Sequence, residues 1–559
     1  MFRYAGRQVH ASHKPLGITL LLVAAAALAL LVPFMIFGNA SGHDFEFHLA
    51  SWMDVVHQWH QRVLYPRWAE LANWGYGEPR FVFYPPLSWM LGAALSLLLP
   101  WPMVPGAFFW ICMVLAGACM FRLAREWLPP DDAGFAALLY AVNPYHQLHI
   151  YWRSDFAELL ASAIFPLVVL YAIRAGQGER RAVLPLAAVV AAAWLMNAPA
   201  AVVSTYTVAL LLAVTALQRR SWRGIPLGAC ALLLGFALAT FYILPAAYEQ
   251  RWVNIVEALA SGLRPQDNFL FTWTSDPEHT YFNFRVSKIA VAEMLVAALA
   301  LFAGRKLRER RDAWWPLITL LGASALLMLR ITTLAWRFLP ELHFVQFPWR
   351  WLFAFNAVLA VLLAAAVARR GRAFFWAGSV LALALCAVLL AHHAWWDSDG
   401  ANDLYQSILV QGKGYFGADE YGTRGSDHYD LDPKVANVAV EPVDGVAPHA
   451  LLHLERWRAE RKVFTVHAQQ PVMVALRLMT YPAWRVTVNG RPAEAQARPN
   501  TSQMLIRLPA GASRVELRFT RTPDRLWGGV ISALAAALWL LLALLQCRTE
   551  EGPYPLPAD

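Results

Sequence analysis

Three short stretches gather the side chains able to do chemistry. They are Gly42-His43-Asp44-Phe45-Glu46-Phe47-His48, the run from Asn143 to Glu158 (NPYHQLHIYWRSDFAE), and Gln346-Phe347-Pro348-Trp349-Arg350-Trp351. Each borders an apolar run. A carboxylate there is partly desolvated and costs free energy unless it is paired, protonated or bound to a cation. Asp44 and His48 stand four apart and share a face if the segment is helical, while Glu46 points elsewhere. Arg350 at the mouth of an apolar run needs an anionic partner, and Asp44, Asp155 or a phosphate would serve. Plainer readings exist for each. Asp44 suits a helix N-terminus, where an acid complements the dipole, and Asp155 suits a helix cap. His146 and His149 are three apart but lack a fixed third ligand for a metal.

Between the first two stretches lie Arg62, Tyr65-Pro66-Arg67-Trp68, Asn73-Trp74-Gly75-Tyr76-Gly77-Glu78-Pro79 and Phe83-Tyr84-Pro85-Pro86. Aromatics interleaved with Gly and Pro form either an interfacial belt or a wall facing sugar and lipid. Arg67 and Arg80 are candidates for phosphate recognition, against the simpler reading of snorkelling anchors.

The elements that must position these groups follow from composition. Of 559 residues, 58% are hydrophobic and only 15% charged. A soluble domain carries about 25% charge, so much of this apolar surface must meet lipid. Disorder, fibrous repeats and a cytosolic enzyme are excluded. The net charge of +9 resides in Arg clusters between apolar runs, such as Arg219, Arg220 and Arg223, or Arg305 to Arg311, or Arg369, Arg370 and Arg372. That is the pattern of the positive-inside rule, and it offers no continuous stripe for nucleic acid. The five cysteines form no disulfide framework or metal spacing.

Apolar runs near 17–37, 106–122, 133–150, 156–174, 182–197, 199–217, 224–247, 289–304, 313–330, 351–368, 373–392 and 526–546 predict twelve spans. The first follows Arg3, Arg7 and Lys14 and reads as an uncleaved anchor. If residues 85–100, Pro-bounded and short, do not cross, the Arg clusters share one side, so both termini are expected in the cytoplasm of a bacterial inner membrane. The loops 38–105, 144–155, 248–288 and 331–350 then face outward with the polar region 393–525. That region alternates like strands, with hairpin signals at Asn489-Gly490 and a turn at Pro509-Ala510-Gly511. An all-α polytopic domain (1–392) is therefore expected, followed by an extracytoplasmic β-sandwich-like domain and a last helix (526–559) with a short tail.

The motif Asp44-Phe45-Glu46-Phe47-His48 after the first span resembles the GT-C class of membrane glycosyltransferases. More narrowly, Leu64-Tyr65-Pro66-Arg67-Trp68, Gly75-Tyr76-Gly77-Glu78-Pro79 and Phe83-Tyr84-Pro85-Pro86-Leu87 look like a bacterial membrane-protein family labelled 6-pyruvoyl-tetrahydropterin-synthase-related. Phe347-Pro348-Trp349-Arg350 and Glu420-Tyr421 are similar to that family's later motifs. Tyr481-Pro482-Ala483-Trp484 with Asn489-Gly490 is similar to the outer β-domain of YfhO-type membrane proteins. The label is no activity: a pterin synthase needs a soluble fold and a His-rich zinc site, and neither is encoded here. The resemblance implies a GT-C-like fold, a polyprenyl-phosphate-sugar donor, and an outer-loop Asp as catalytic base or metal-linked carboxylate. That role falls on Asp44, with Asp155 as a second match.

The expected chemistry is sugar transfer to a cell-envelope glycan or protein acceptor. Asp44 takes the acceptor proton. Arg350 and Arg153 hold the departing phosphate. Glu46 and His48 tune Asp44 or share with it a hard divalent cation, Mg²⁺ or Mn²⁺, with Asp44 and Glu46 as ligands. Arg67, Tyr84 and Glu158 complete the expected substrate contacts. Two other readings stay open: a flippase or transporter of a lipid-linked substrate, and a scaffold presenting the β-domain. Against the transporter, the spans show no inverted repeat and the polar residues gather at one face.

Overall fold

A computed structural model describes residues 14–303, 305–366, 372–443 and 449–548. Arg3, Arg7, Arg369, Arg370 and the tail after 548 lie outside the described residues. The chain is mostly helical, with a β-sheet region near the C-terminus. Among the described residues, nine helices are long and apolar enough to cross a membrane: Pro15–Phe37, Trp101–Ala124, Phe156–Gly176, Ala198–Arg219, Gly224–Trp252, Pro277–Ala303, Pro348–Ala366, Arg372–His392 and Pro523–Cys547. The pair Arg311–Leu327 and Arg330–Phe338, bent by 91°, makes a tenth if it is one span.

Twelve apolar runs thus become nine or ten helices of spanning length. The run at 133–150 divides into Pro130–Ala141 and Pro144–Leu148 because Asn143-Pro144 ends the first helix and caps the second. The run at 182–197 yields the 14-residue helix Val183–Met196, stopped where Asn197 adopts an extended conformation and caps Ala198–Arg219 through the Ala200 N–H. The short segment at 85–100 forms Pro86–Ser96, 11 residues and about 16 Å long, well under the roughly 30 Å of a bilayer's apolar core.

The polar loops meet at one end of the bundle. Asn39-Ala40, just after the first helix, pair antiparallel with Trp396-Asp397, just after Arg372–His392. The basic helix ends gather at the other: Arg174 bonds Glu126 at 2.6 Å and Arg372 bonds Asp132 at 2.6 Å.

The β region holds two antiparallel sheets. One orders its strands as Val438–Pro442, Val472–Met479, Gln503–Leu508 and Gln496–Ala497; the other as Ala450–Arg458, Arg461–Ala468, Gly511–Phe519, Trp484–Val488 and Arg491–Ala493. Their alternating apolar residues, including Phe464, Val474, Leu476, Ile506, Val515 and Leu517, share one buried core. The Asn489-Gly490 hairpin is present, with positive φ at both residues and Val488 opposite Arg491. Pro509-Ala510 turns the chain from one sheet into the other. The first loop packs against this core. Trp68 contacts the rings of Tyr481 and Trp484, and the Met479 N–H donates to the Tyr76 carbonyl at 2.9 Å.

Candidate functional site

The segment after Asn143 reaches the polar end of the bundle as a single π-turn, His149–Arg153, and closes with Ser154 at φ +53°. Such irregular turns are costly and recur at functional positions. This one aims Arg153 at the start of the helix Phe45–His60. The two segments are locked together: the Ser154 hydroxyl accepts from the Gly42 N–H at 3.0 Å and donates to the Ala40 carbonyl at 2.8 Å. Gly42 lies so close to the Trp152 carbonyl that a Cβ there would overlap it. Asp44 follows, its N–H donating to the Arg153 carbonyl at 2.9 Å.

The third stretch arrives through Gln346, whose φ of +64° turns the chain into Pro348–Trp351. Its side-chain oxygen accepts from Arg350 at 3.0 Å, and its amide donates to the Ala258 carbonyl at 2.7 Å. Arg350 is thereby held against the second stretch.

The three stretches converge on one cluster. Arg153 contacts Asp155 at 2.9 Å, Glu158 at 2.9 Å and Asp44 at 3.3 Å. Arg350 contacts Glu158 at 2.7 Å and stands 3.7 Å from Asp155. The Tyr145 hydroxyl donates to the other Glu158 oxygen, and His149 Nε2 lies 3.5 Å from it. Both guanidinium groups lie over the Phe347 ring, and Arg153 also over Trp349. Asp155 meets both of its readings at once. One oxygen caps the helix through the Glu158 N–H at 2.9 Å, and the other pairs with Arg153.

Exposure divides the cluster. The side chains of Arg153, Asp155, Glu158 and Arg350 are 7% exposed or less, whereas that of Asp44 is 37% exposed. Burial of its surroundings raises the Asp44 pKa to about 6; Arg153 opposes the shift, Asp155 and Glu158 add to it, and Arg350 opposes it. Tyr84 lies within electrostatic reach of Asp44, its ring contacts those of His48 and Phe47, and Phe47 also contacts the Tyr421 ring. Burial, with help from the charges of Asp155 and Asp44, raises the Tyr84 pKa well above its ordinary value. Burial lowers that of His48 to about 4, so it is a neutral ring at pH 7.

Other expected residues fall elsewhere. Glu46 is exposed and lines a separate small cavity with His43 and Asp397. Arg67 lies over the Tyr65 ring and bonds the Phe241 carbonyl at 3.4 Å, away from the cluster. Arg80 pairs with Glu78 at 2.7 Å in a buried network; Glu78 also accepts from Asn73 and from the Ala418 N–H. His146 bonds the Ala141 carbonyl and Ser162, a structural arrangement. Glu158 is wholly buried between Arg153 and Arg350.

Among the described residues, His149, Asp155 and Glu158 bring ligand atoms within 4.8 Å of one another. The fit to a divalent cation is poor. Both carboxylates are already neutralised by Arg153 and Arg350, and a cation would have to displace a guanidinium. Asp44 and Glu46, the expected pair, face different surroundings: Asp44 meets Arg153, Glu46 the small cavity.

Gln346 heads the third stretch picked out in the sequence, whereas Tyr145 and Ser154 lie inside the second with no spacing signal of their own.

Residues 81–397, more than half of the chain, match a family described as a 6-pyruvoyl-tetrahydropterin synthase related domain and membrane protein. No curated protein matches the sequence. Among solved structures the chain is similar to ArnT from Cupriavidus metallidurans bound to undecaprenyl phosphate, at 11% identity and TM-score 0.39, over 68% of this chain and 64% of that one. It is also similar to the arabinofuranosyltransferase AftD from Mycobacteria, at 18% identity and TM-score 0.42, over 70% and 27%. The oligosaccharyltransferase from Archaeoglobus fulgidus gives 13% identity and TM-score 0.41, over 76% and 62%. All three are GT-C glycosyltransferases. The chain spans less than two thirds of the length of each.

Proposed function

The chain belongs to the 6-pyruvoyl-tetrahydropterin synthase related family of membrane proteins, and from that premise and its polar cluster we propose that it is a membrane glycosyltransferase. The donor is a polyprenyl-phosphate sugar and the acceptor a cell-envelope glycan or protein. The site lies on the outer face of the inner membrane, with both termini cytoplasmic and the β region extracytoplasmic. That orientation rests on the basic helix ends, which the positive-inside rule assigns to the cytoplasm.

The observation that carries the reading is the position of Asp44. It is the one part-exposed acid of a cluster whose other members are buried and mutually paired. A carboxylate with a pKa near 6 is mostly ionised at pH 7 yet basic enough to take a proton. In the reaction, the acceptor hydroxyl gives its proton to Asp44 as its oxygen bonds the anomeric carbon. The bond from that carbon to phosphate oxygen breaks, and the electron pair leaves with the polyprenyl phosphate. Arg153 orients Asp44 through the 3.3 Å contact. Arg350 Nη2, only loosely held at 3.7 Å from Asp155, is the guanidinium nitrogen free to meet the phosphate. Tyr84 and Phe47 flank the sugar. Arg153 and Arg350 occupy the acids that would otherwise bind a metal.

The test is transfer from radiolabelled polyprenyl-phosphate sugars by the purified protein in liposomes. Asp44→Asn is expected to lower turnover by about 10²–10⁴-fold while the protein stays in the membrane. Near-normal turnover in that variant overturns the base assignment. Equilibration of labelled lipid across the bilayer without transfer would favour a flippase.

A further inference from the structure

A cavity of about 670 Å³ lies between the spans Pro277–Ala303, Pro348–Ala366 and Arg372–His392 and the helix Pro130–Ala141. Its volume falls within the range of ligand pockets, about 300–1,000 Å³. The lining is mostly aliphatic, with Asn143, Asn356, Ser379 and Cys386 as its other polar side chains and Glu293 as its one carboxyl group. Glu293, buried, accepts from the Asn356 amide at 2.9 Å through one oxygen, and its other oxygen is buried without a hydrogen-bond partner. Asn143, on the same lining, is already committed to the His146 N–H and the Tyr140 carbonyl. Among the described residues, no Lys or Arg lines the cavity. A carboxyl group among aliphatic side chains in a membrane is expensive and marks a functional position by default.

The cavity opens sideways. Leu299 on one wall and Gly378 on the other are exposed, so the gap between Pro277–Ala303 and Arg372–His392 gives onto the surrounding lipid. Asn356 lies six residues beyond Arg350, a rise of about 9 Å. The polar pair therefore sits below the Asp44 cluster, in the apolar layer.

We propose that this cavity binds a long-chain alcohol, its hydroxyl seated on the Glu293–Asn356 pair and its chain extending through the lateral gap. The unpartnered oxygen of Glu293 calls for a donor, and the aliphatic walls call for a long chain. A hydroxyl supplies both a donor and an acceptor, and so meets the carboxyl group without requiring it to ionise. An ammonium group would need an ionised carboxylate opposite it, which puts two charges in the apolar layer. A bare hydrocarbon would leave the carboxyl oxygen unmet. The site is separate from the acids and arginines assigned to transfer, and its occupancy does not depend on them.

Binding of tritiated hexadecanol to the full-length protein in lipid nanodiscs tests this. Saturable binding is expected, with hexadecyl methyl ether, which lacks the donor, weaker by about tenfold. Glu293→Leu is expected to lose the same factor, and Glu293→Gln, which keeps hydrogen-bonding capacity, to retain binding. A Cβ at Gly378 meets nothing within 4 Å, so Gly378→Phe adds a ring at the mouth of the lateral gap without displacing backbone and is expected to weaken binding. If Glu293→Leu does not fold, the ether comparison in the unaltered protein and Gly378→Phe still decide. Equal affinity for alcohol and ether, or unchanged binding in Gly378→Phe, overturns the proposal.

Discussion

At the scale of single residues, Asp44 makes the sharpest demand. Burial and two neighbouring carboxylates raise its pKa to about 6, and a general base works only when ionised. The rate should therefore be level above pH 7 and fall about tenfold per unit as pH drops below 6. A profile of kcat/KM against pH checks this, and a limb centred near 4 would mean an ordinary exposed acid. Arg350 makes a different demand. Its guanidinium bonds Glu158, the Val345 carbonyl and Gln346, so its removal leaves Glu158 buried with one cation fewer. Arg350→Ala is expected to cost about 3–5 kcal/mol, read as a lowered Tm of the purified protein. Unchanged stability with lost activity would instead restrict Arg350 to the substrate. The sequence named both residues because acid and arginine beside an apolar run are hard to place without a partner. It left the partner of Arg350 open among Asp44, Asp155 and phosphate; the strongest one found is Glu158, one helical turn past Asp155.

At the scale of elements, the cluster depends on how the first loop docks against the π-turn. Gly42 is the close-packed point of that contact. Gly42→Ala sets a methyl group against the Trp152 carbonyl, and neither backbone can yield without moving Asp44 or Arg153. A loss of about 1–3 kcal/mol is expected, with a shift of the pH limb away from 6. Unfolding and the pH profile of the variant check both. The π-turn itself was not legible, since it inserts one residue into a helix without a composition signal. The break at Asn143-Pro144 was not, because hydropathy alone carries the apolar run at 133–150 straight through it. The Asn489-Gly490 hairpin was legible, since both residues need positive φ. The division of strands between two sheets was not, because alternation fixes which face is buried and leaves the partner strand undefined.

At the scale of the whole molecule, long-range ties hold the polar end together, and spacing within one element gives no access to them. The Tyr415 hydroxyl bonds Asp54 across 361 residues, and Arg525 at the start of the last helix bonds Glu249 through two oxygens while Tyr481 joins the same acid. These ties fasten the β region to the spans and the segment before it to the first loop, to which the Met479 N–H also binds through the Tyr76 carbonyl. The β strands and the Asp44 cluster must consequently face the same side of the membrane. Cysteine labelling tests which side that is, in a background with the five native cysteines replaced. Leu451, 77% exposed on the strand Ala450–Arg458, and Trp222, 67% exposed in the turn between Ala198–Arg219 and Gly224–Trp252, lie at opposite ends of the bundle. Leu451→Cys should react with a membrane-impermeant maleimide on intact spheroplasts, and Trp222→Cys only after permeabilisation. The reverse pattern would put the acids in the cytoplasm, where nucleotide sugars would compete with lipid-linked donors, and the orientation drawn from the Arg-rich helix ends would fall with it.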